Sequence, residues 1–215
     1  MDWLLFKHKE TSRMTIDINV EKGTILITQR WRMADRGNTS STSIEYFKRM
    51  VVSTIQTIWN RRCFINLIDK NATKKEDRKK SFILDFKIRW VTSNEHWKVY
   101  MQSEGVSFIN WIARTIHLDM LDIKPQQKLG APRGLEQYPV AHEFGHTIGN
   151  VRGAFPSIIM GFNRMSIISH GDEYGIAPSI RNSETINRQR REYIADISSI
   201  MNVGNGLRRR HLDYI

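Results

Sequence analysis

The chain is nearly without cysteine: Cys63 stands alone among 215 residues. No intrachain disulfide can form, so stability does not depend on oxidation. A single thiol ahead of the apolar pair Phe64-Ile65 reads as a small core residue, not as a nucleophile. Long apolar runs are missing too, and none approaches the roughly 18 residues of a membrane-crossing helix. The N-terminus, Met1-Asp2-Trp3-Leu4-Leu5-Phe6-Lys7, has only a short apolar run behind an acid. A secretory signal needs a basic start and a longer apolar segment. The expectation is a protein made in the cytoplasm without a signal peptide and without membrane insertion, exported by a specialised system if it works elsewhere. Repeats and low-complexity tracts are absent. Acidic residues are in deficit, 22 against 33 Lys and Arg, which leaves a formal charge of +11. Such a basic chain can be drawn to nucleic acid, to anionic membranes or to an anionic cell envelope, and the charge does not choose among them.

What is present is a globular composition. Hydrophobic residues make up 40% of the chain, with 6 Trp and 9 Phe. The length suffices for one domain with a real core, or for one domain plus a small subdomain. Residues 15–34 read as a hairpin: Ile16, Ile18 and Val20 alternate with polar residues, Glu21-Lys22-Gly23 turns the chain, and Ile25, Ile27, Trp31 and Met33 alternate again, interrupted by Gln29. Residues 43–60 read as a long scaffold helix. Thr42-Ser43-Ile44-Glu45 resembles a capping box, and Ile44, Phe47, Val51, Ile55 and Ile58 follow helical spacing. Phe64–Ile68 is a short strand, and 73–80 a charged, solvated loop. Phe82, Leu84, Phe86, Ile88 and Trp90 alternate strictly and predict a strand. Trp97, Val99 and Met101 predict its partner across a turn at 92–96. Residues 107–121 are apolar and fit either strand or helix. Pro125 to Gly134 is a loop leading to the most informative stretch.

That stretch is Val140-Ala141-His142-Glu143-Phe144-Gly145-His146-Thr147-Ile148-Gly149. On a helix, His142 and His146 fall at i and i+4, one turn apart on one face. Two imidazoles so placed can hold one zinc ion through a ring nitrogen each. Glu143, beside the first ligand, is suited to take a proton from a zinc-activated water. Val140, Phe144 and Ile148 form an apolar stripe, Pro139 fits a first helical turn and Gly149 a stop. His-Glu-x-x-His is short enough to arise by chance, and its helical context is what gives it weight. A catalytic zinc takes a third protein ligand. Arg152 stands where a histidine would extend the motif, and a guanidinium cannot serve. The candidates further on are Glu173, in Gly171-Asp172-Glu173-Tyr174-Gly175, then Glu192, in Glu192-Tyr193-Ile194-Ala195-Asp196, then His170 or Asp172.

Three segments taken together resemble a group of bacterial zinc metallopeptidase effector domains, found at the C-termini of VgrG spike proteins of type VI secretion and as free-standing effectors. They are His142-Glu143-Phe144-Gly145-His146-Thr147-Ile148-Gly149-Asn150, Gly171-Asp172-Glu173-Tyr174, and Ser199-Ile200-Met201-Asn202-Val203-Gly204-Asn205 followed by Arg208-Arg209-Arg210-His211-Leu212. The resemblance covers about the last third of the chain. It favours Glu173 as the third ligand, although some twenty residues, Val151 to His170, intervene where related sequences are shorter. Ser199-Ile200-Met201-Asn202 also resembles the methionine turn of metzincins, with Met201 as an apolar floor beneath the histidines. Arg210 and His211 match a basic run of the group, and His211 or Tyr174 is a candidate oxyanion donor.

The expected fold is α+β: a zincin/metzincin-like single domain over 1–215, with a mixed, mostly antiparallel sheet and scaffold helix in about 1–133 and the metal site, methionine turn and C-terminal segment in 134–215. The expected function is zinc-dependent hydrolysis of an amide bond, with His142, His146 and Glu173 on Zn2+ and Glu143 as general base. The resemblance implies a toxin acting on a protein or peptide in the periplasm of a target cell, with a cognate immunity protein and a VgrG spike as partners and no nucleic acid. Two alternatives stand beside it. One is a cell-wall amidase or peptidoglycan peptidase using the same metal chemistry. The other is a non-catalytic basic module that binds nucleic acid through Lys74–Lys80 and Arg208–Arg210, with a structural metal.

Overall fold

The computed structural model describes residues 7–34, 40–68, 73, 79–103, 105–110, 112–128, 131–148 and 196–212. The chain forms two compact units, Met1–Met120 and Leu121–Ile215. It belongs to the α+β class, with a mixed sheet and two α-helices among the described residues.

The first unit is an eight-stranded sheet with one long helix. Its strands are β1 (His8–Glu10), β2 (Thr15–Asn19), β3 (Thr24–Met33), β4 (Phe64–Ile68), β5 (Lys79–Trp90), β6 (Trp97–Met101), β7 (Phe108–Asn110) and β8 (Thr115–Leu118). The helix α1 spans Ser41–Trp59. The hairpin expected over 15–34 is β2–β3, with Gly23 at φ 59 in the turn, a left-handed conformation that costs glycine nothing. The polar interruption Gln29 is fully buried beside Trp31, and its Oε1 accepts the Trp31 indole N–H at 2.9 Å, so neither polar group is stranded in the core.

β3 is the axis of the sheet. Thr24–Thr28 pair antiparallel with β2 and, on the opposite edge, parallel with β5. The register sets Ile25 beside Leu84, Ile27 beside Phe86 and Trp31 beside Trp90, so two alternating apolar rows share one face. α1 covers that face of β5: Phe47, Val51, Ile55 and Trp59 are fully buried, and Trp59 meets Phe86 edge-on at 5.6 Å. The opposite face of β5 carries the exposed Lys87 and Arg89. Such alternation is what a sheet covered on one side requires.

Two expectations are corrected here. First, β6 is not the partner of β5. It pairs parallel with β3 (Trp31 with Trp97) and with β8. β5 also reaches Trp31, so β6 lies on the other edge of β3, where β2 has ended. The loop 91–96 carries the chain from one edge of β3 to the other, and Val91 N–H and His96 N–H donate to the carbonyls of Trp31 and Arg30. The sheet is mixed, as expected, with four antiparallel pairings (β1–β2, β2–β3, β4–β5, β7–β8) around a parallel centre (β3–β5, β3–β6, β6–β8). Second, α1 starts earlier than the capping-box pattern suggests. Ser40 is the N-cap and its hydroxyl accepts the Ser43 N–H.

The apolar stretch 107–121 forms β7 and β8, joined through Arg114 at φ 51. β4 forms as expected, but Phe64 and Ile68 on it are exposed. Cys63 is half-buried, and burial pushes its thiol up, away from nucleophile behaviour. The charged loop expected at 73–80 gives way to β5 at Lys79; Lys74–Asp77 and Arg78 lie outside the described residues. No described helix is long and apolar enough to cross a membrane.

One polar cluster ties β1 to β3. The Glu10 carboxylate accepts from Arg30 Nη2 at 2.8 Å, from the Thr15 hydroxyl and from His96 Nε2 at 2.9 Å. These donors, Arg30 first, pull Glu10 down to about 2 from 4.5. His96 is buried and its Nδ1 accepts the Arg30 backbone N–H at 3.0 Å. Burial lowers its pKa below 6.5, against the opposing pull of Glu10. Both groups bind protons less readily folded than unfolded. Their contribution is therefore whole above pH 6.5 and is lost on acidification, His96 first and Glu10 as pH falls from 4.5 toward 2. The thermal midpoint is expected to drop through both windows. In Glu10→Gln the lower drop should shrink, and an unchanged acid limb would remove Glu10 from this role.

Candidate metal centre

The second unit is described through residues 121–128, 131–148 and 196–212. Its helix α2 spans Pro139–Ile148 and carries the whole His-Glu-x-x-His motif. The local sequence explains where it begins. Pro139 lacks an N–H that the first turn could not satisfy, the Val140 N–H is taken by the Asp122 carbonyl at 3.2 Å, and the Ala141 and His142 N–H groups turn back to the Tyr138 carbonyl. The apolar stripe of Val140, Phe144 and Ile148 is buried as expected, but every other residue of α2 is buried with it. The histidine face is thus enclosed. His142, Glu143 and His146 are 7%, 6% and 6% exposed.

The two imidazoles converge. Their Nε2 atoms are 3.1 Å apart, and the rings are steeply inclined at 83°. Two nitrogens about 2.0–2.1 Å from one tetrahedral ion would be separated by about 3.3 Å. The observed spacing is also a hydrogen-bond length, so an imidazole N–H can bridge the pair when no ion is bound. The tautomer favours the ion. His142 Nδ1 faces the Ile200 carbonyl at 2.7 Å. A carbonyl only accepts, so the proton sits on Nδ1 and the Nε2 lone pair is left toward His146. Metal-binding histidines are commonly oriented in this way by their second nitrogen. Glu143 brings its carboxylate into the same enclosure, and the ligand atoms of His142, Glu143 and His146 all lie within 4.8 Å of one another. Among the described residues this is the group of His, Cys, Asp and Glu side chains able to hold a metal.

The segment 196–212 builds the wall behind His142. Ser199 to Gly204 is a tight, buried turn in which the Ser199 carbonyl accepts from the N–H groups of Asn202 and Gly204. A side chain on Gly204 would collide with the Ser198 backbone, so the turn needs glycine there. Met201 is fully buried, directly after the residue whose carbonyl holds His142. Ile200 N–H donates to the Gly206 carbonyl at 2.8 Å, and Gly206 N–H to that of Ser198 at 2.7 Å. His211 locks this arrangement: its Nδ1 accepts the Arg208 N–H and its Nε2 donates to the Ser199 hydroxyl, both at 3.1 Å. With both ring nitrogens so engaged, His211 braces the turn, which differs from the oxyanion role weighed for it. Arg208 forks onto Asp196 with two contacts of 2.7 Å.

Two further residues join the wall to the start of α2. Asn205 accepts the Tyr138 N–H and donates to the Glu136 carbonyl. Gln137 is fully buried, and its side-chain nitrogen lies 2.8, 2.8 and 2.9 Å from the carbonyls of Ile200, Asn202 and Gly204. Sequence reasoning passed over Gln137, since a lone glutamine before a helix carries no motif.

Of the residues singled out from sequence, the structure brings together His142, Glu143, His146 and the turn of Met201. Glu173, Glu192, His170, Asp172, Tyr174 and Arg152 lie outside the described residues. No protein-family model matches the chain, and neither a curated protein nor a solved structure does so.

Proposed function

We propose that this protein is a zinc-dependent amide hydrolase, a metallopeptidase whose metal is held by His142 and His146, with Glu143 as general base. The observation that carries the reading is the His142 ring: one nitrogen is fixed on the Ile200 carbonyl and the other is aimed at His146 Nε2, 3.1 Å away, beside a buried carboxylate. An all-nitrogen and oxygen donor set without cysteine suits a catalytic zinc better than a structural one. Zinc held there would supply Lewis acidity, polarising an amide carbonyl and acidifying a water molecule. Glu143 takes the proton from the attacking water and returns it to the leaving amine. Glu173 remains the proposed third ligand, on the resemblance of its segment. The role as a secreted toxin acting in a periplasm, with an immunity protein and a spike as partners, rests on that same resemblance. The nucleic-acid alternative loses one of its basic residues, because Arg208 is engaged by Asp196.

The test is metal stoichiometry after exhaustive dialysis, by elemental mass spectrometry. One zinc per chain is expected in the wild type, and little in His146→Ala or Glu173→Ala. Retention of one zinc in Glu173→Ala would move the third ligand to Glu192 or His170. A wild type that takes up no zinc on reconstitution would end the metallopeptidase reading.

A further inference from the structure

The Ile200 carbonyl has two donors. His142 Nδ1 reaches it at 2.7 Å and Gln137 Nε2 at 2.8 Å. The same Gln137 nitrogen reaches the carbonyls of Asn202 and Gly204, so one carboxamide gathers three alternate carbonyls of the Ser199–Gly204 turn. Two N–H bonds serve three acceptors, one of them shared. The amide is oriented without ambiguity, because the flipped form would set its oxygen against three carbonyl oxygens. Its Oε1 is buried with no hydrogen-bond partner among the described residues. An interior acceptor without a donor is costly, and that cost is offset by the donors the same amide gives to three carbonyls of the turn. What the amide adds is direction: it fixes where the Ile200 carbonyl points. The backbone of Gln137 pairs with Gln126 in both directions whatever the side chain, so the demand for glutamine lies in these side-chain contacts.

We infer that Gln137 is the positioning residue of the metal centre, setting the tautomer and ring orientation of His142 through the Ile200 carbonyl. This rests on the metal reading above for its function, but not for its geometry. If the carboxamide is removed, the three turn carbonyls lose their common anchor and seek other donors. The Ile200 oxygen then no longer holds the Nδ1 proton in place, and the His142 ring can exchange its proton to Nε2, the nitrogen that must carry the lone pair. His146 has no part in this contact, but its Nε2 faces the His142 Nε2 at 3.1 Å, so a proton arriving on His142 Nε2 sends the His146 proton to its own Nδ1.

Gln137→Met, which keeps length and removes the donors, tests this. In metal-free wild type, 15N spectra of the imidazoles should show His142 fixed with its proton on Nδ1. In the variant, with the fold retained by circular dichroism, His142 should become a mixture of tautomers, His146 following it through their Nε2–Nε2 contact, and zinc affinity should fall about 10- to 100-fold. A variant with the wild-type tautomer and affinity overturns the inference and leaves the zinc reading standing. A released tautomer in a protein that binds no zinc in either form ends the zinc reading and supports the hold of Gln137 on His142. If Gln137→Met does not fold, hydrogen exchange in the wild type answers the same question. The Gln137 carboxamide protons and the His142 Nδ1 proton should open together, with equal protection. Independent opening, with His142 exchanging much faster, overturns the inference.

Discussion

Glu143→Gln should keep its zinc and lose turnover by a factor of about 100 to 10,000, the usual contribution of a positioned acid–base group. The amide has nearly the shape of the carboxylate, so the enclosure around α2 is preserved. What it cannot do is accept a proton. His142 and His146, one residue before and three after, keep their positions because their anchors lie elsewhere: His142 is held by Ile200, and both rings sit within a helix buried on every side. The measurement pairs zinc content with peptide cleavage in the same preparation. A zinc-replete Glu143→Gln protein with full activity would remove Glu143 from the mechanism. Loss of zinc together with activity would instead mean that Glu143 helps to hold the metal, an arrangement that ligand atoms all within 4.8 Å of one another also permit. The assay needs two substrates, a protein and purified cell wall. The same metal chemistry serves either amide, and cleavage of cell wall alone would move the assignment to an amidase.

Much of the first unit was legible because its signals are local. The period-two alternation of β5 is set by one buried and one solvated face, and it reads directly from Phe82, Leu84, Phe86 and Ile88. The helical spacing of α1 reads equally well. Pairing was not legible in the same way. Only the central position of β3, paired along both edges, makes β5 and β6 parallel to it on opposite sides. No residue between Val91 and His96 announces that this short loop crosses a strand; the five residues from Thr92 to His96 look like a hairpin turn. The metal motif was legible because i, i+4 spacing is itself a geometric statement on a helix. Its support was not. Gln137 acts across a sequence separation of more than sixty residues on backbone carbonyls, which have no side-chain signature. His211 was visible as a conspicuous residue, yet its role depends on two hydrogen bonds within its own segment.

Trp59→Ala should destabilise the first unit by about 3–5 kcal/mol, the range for removing a large buried aromatic. Trp59 is fully buried at the end of α1, and its ring meets Phe86 edge-on at 5.6 Å, so both burial and an aromatic pair are lost. The end of the helix cannot simply collapse into the gap. Asn60, which follows, is fixed twice: its N–H donates to the Gln56 carbonyl, and its Oδ1 accepts the Phe86 N–H at 2.7 Å. The cavity should therefore persist, which places the cost toward the upper part of the range. Phe64→Ala is the matched comparison. That phenylalanine is 63% exposed on β4, and its loss should stay within about 0.5 kcal/mol. The readout can be confined to this unit, because all 6 Trp of the chain precede Met120 and fluorescence follows the sheet alone. A Trp59→Ala protein that unfolds at the wild-type denaturant midpoint would mean that α1 is not what holds the sheet. Equal effects at positions 59 and 64 would mean that β4 is covered in solution by something outside the described residues.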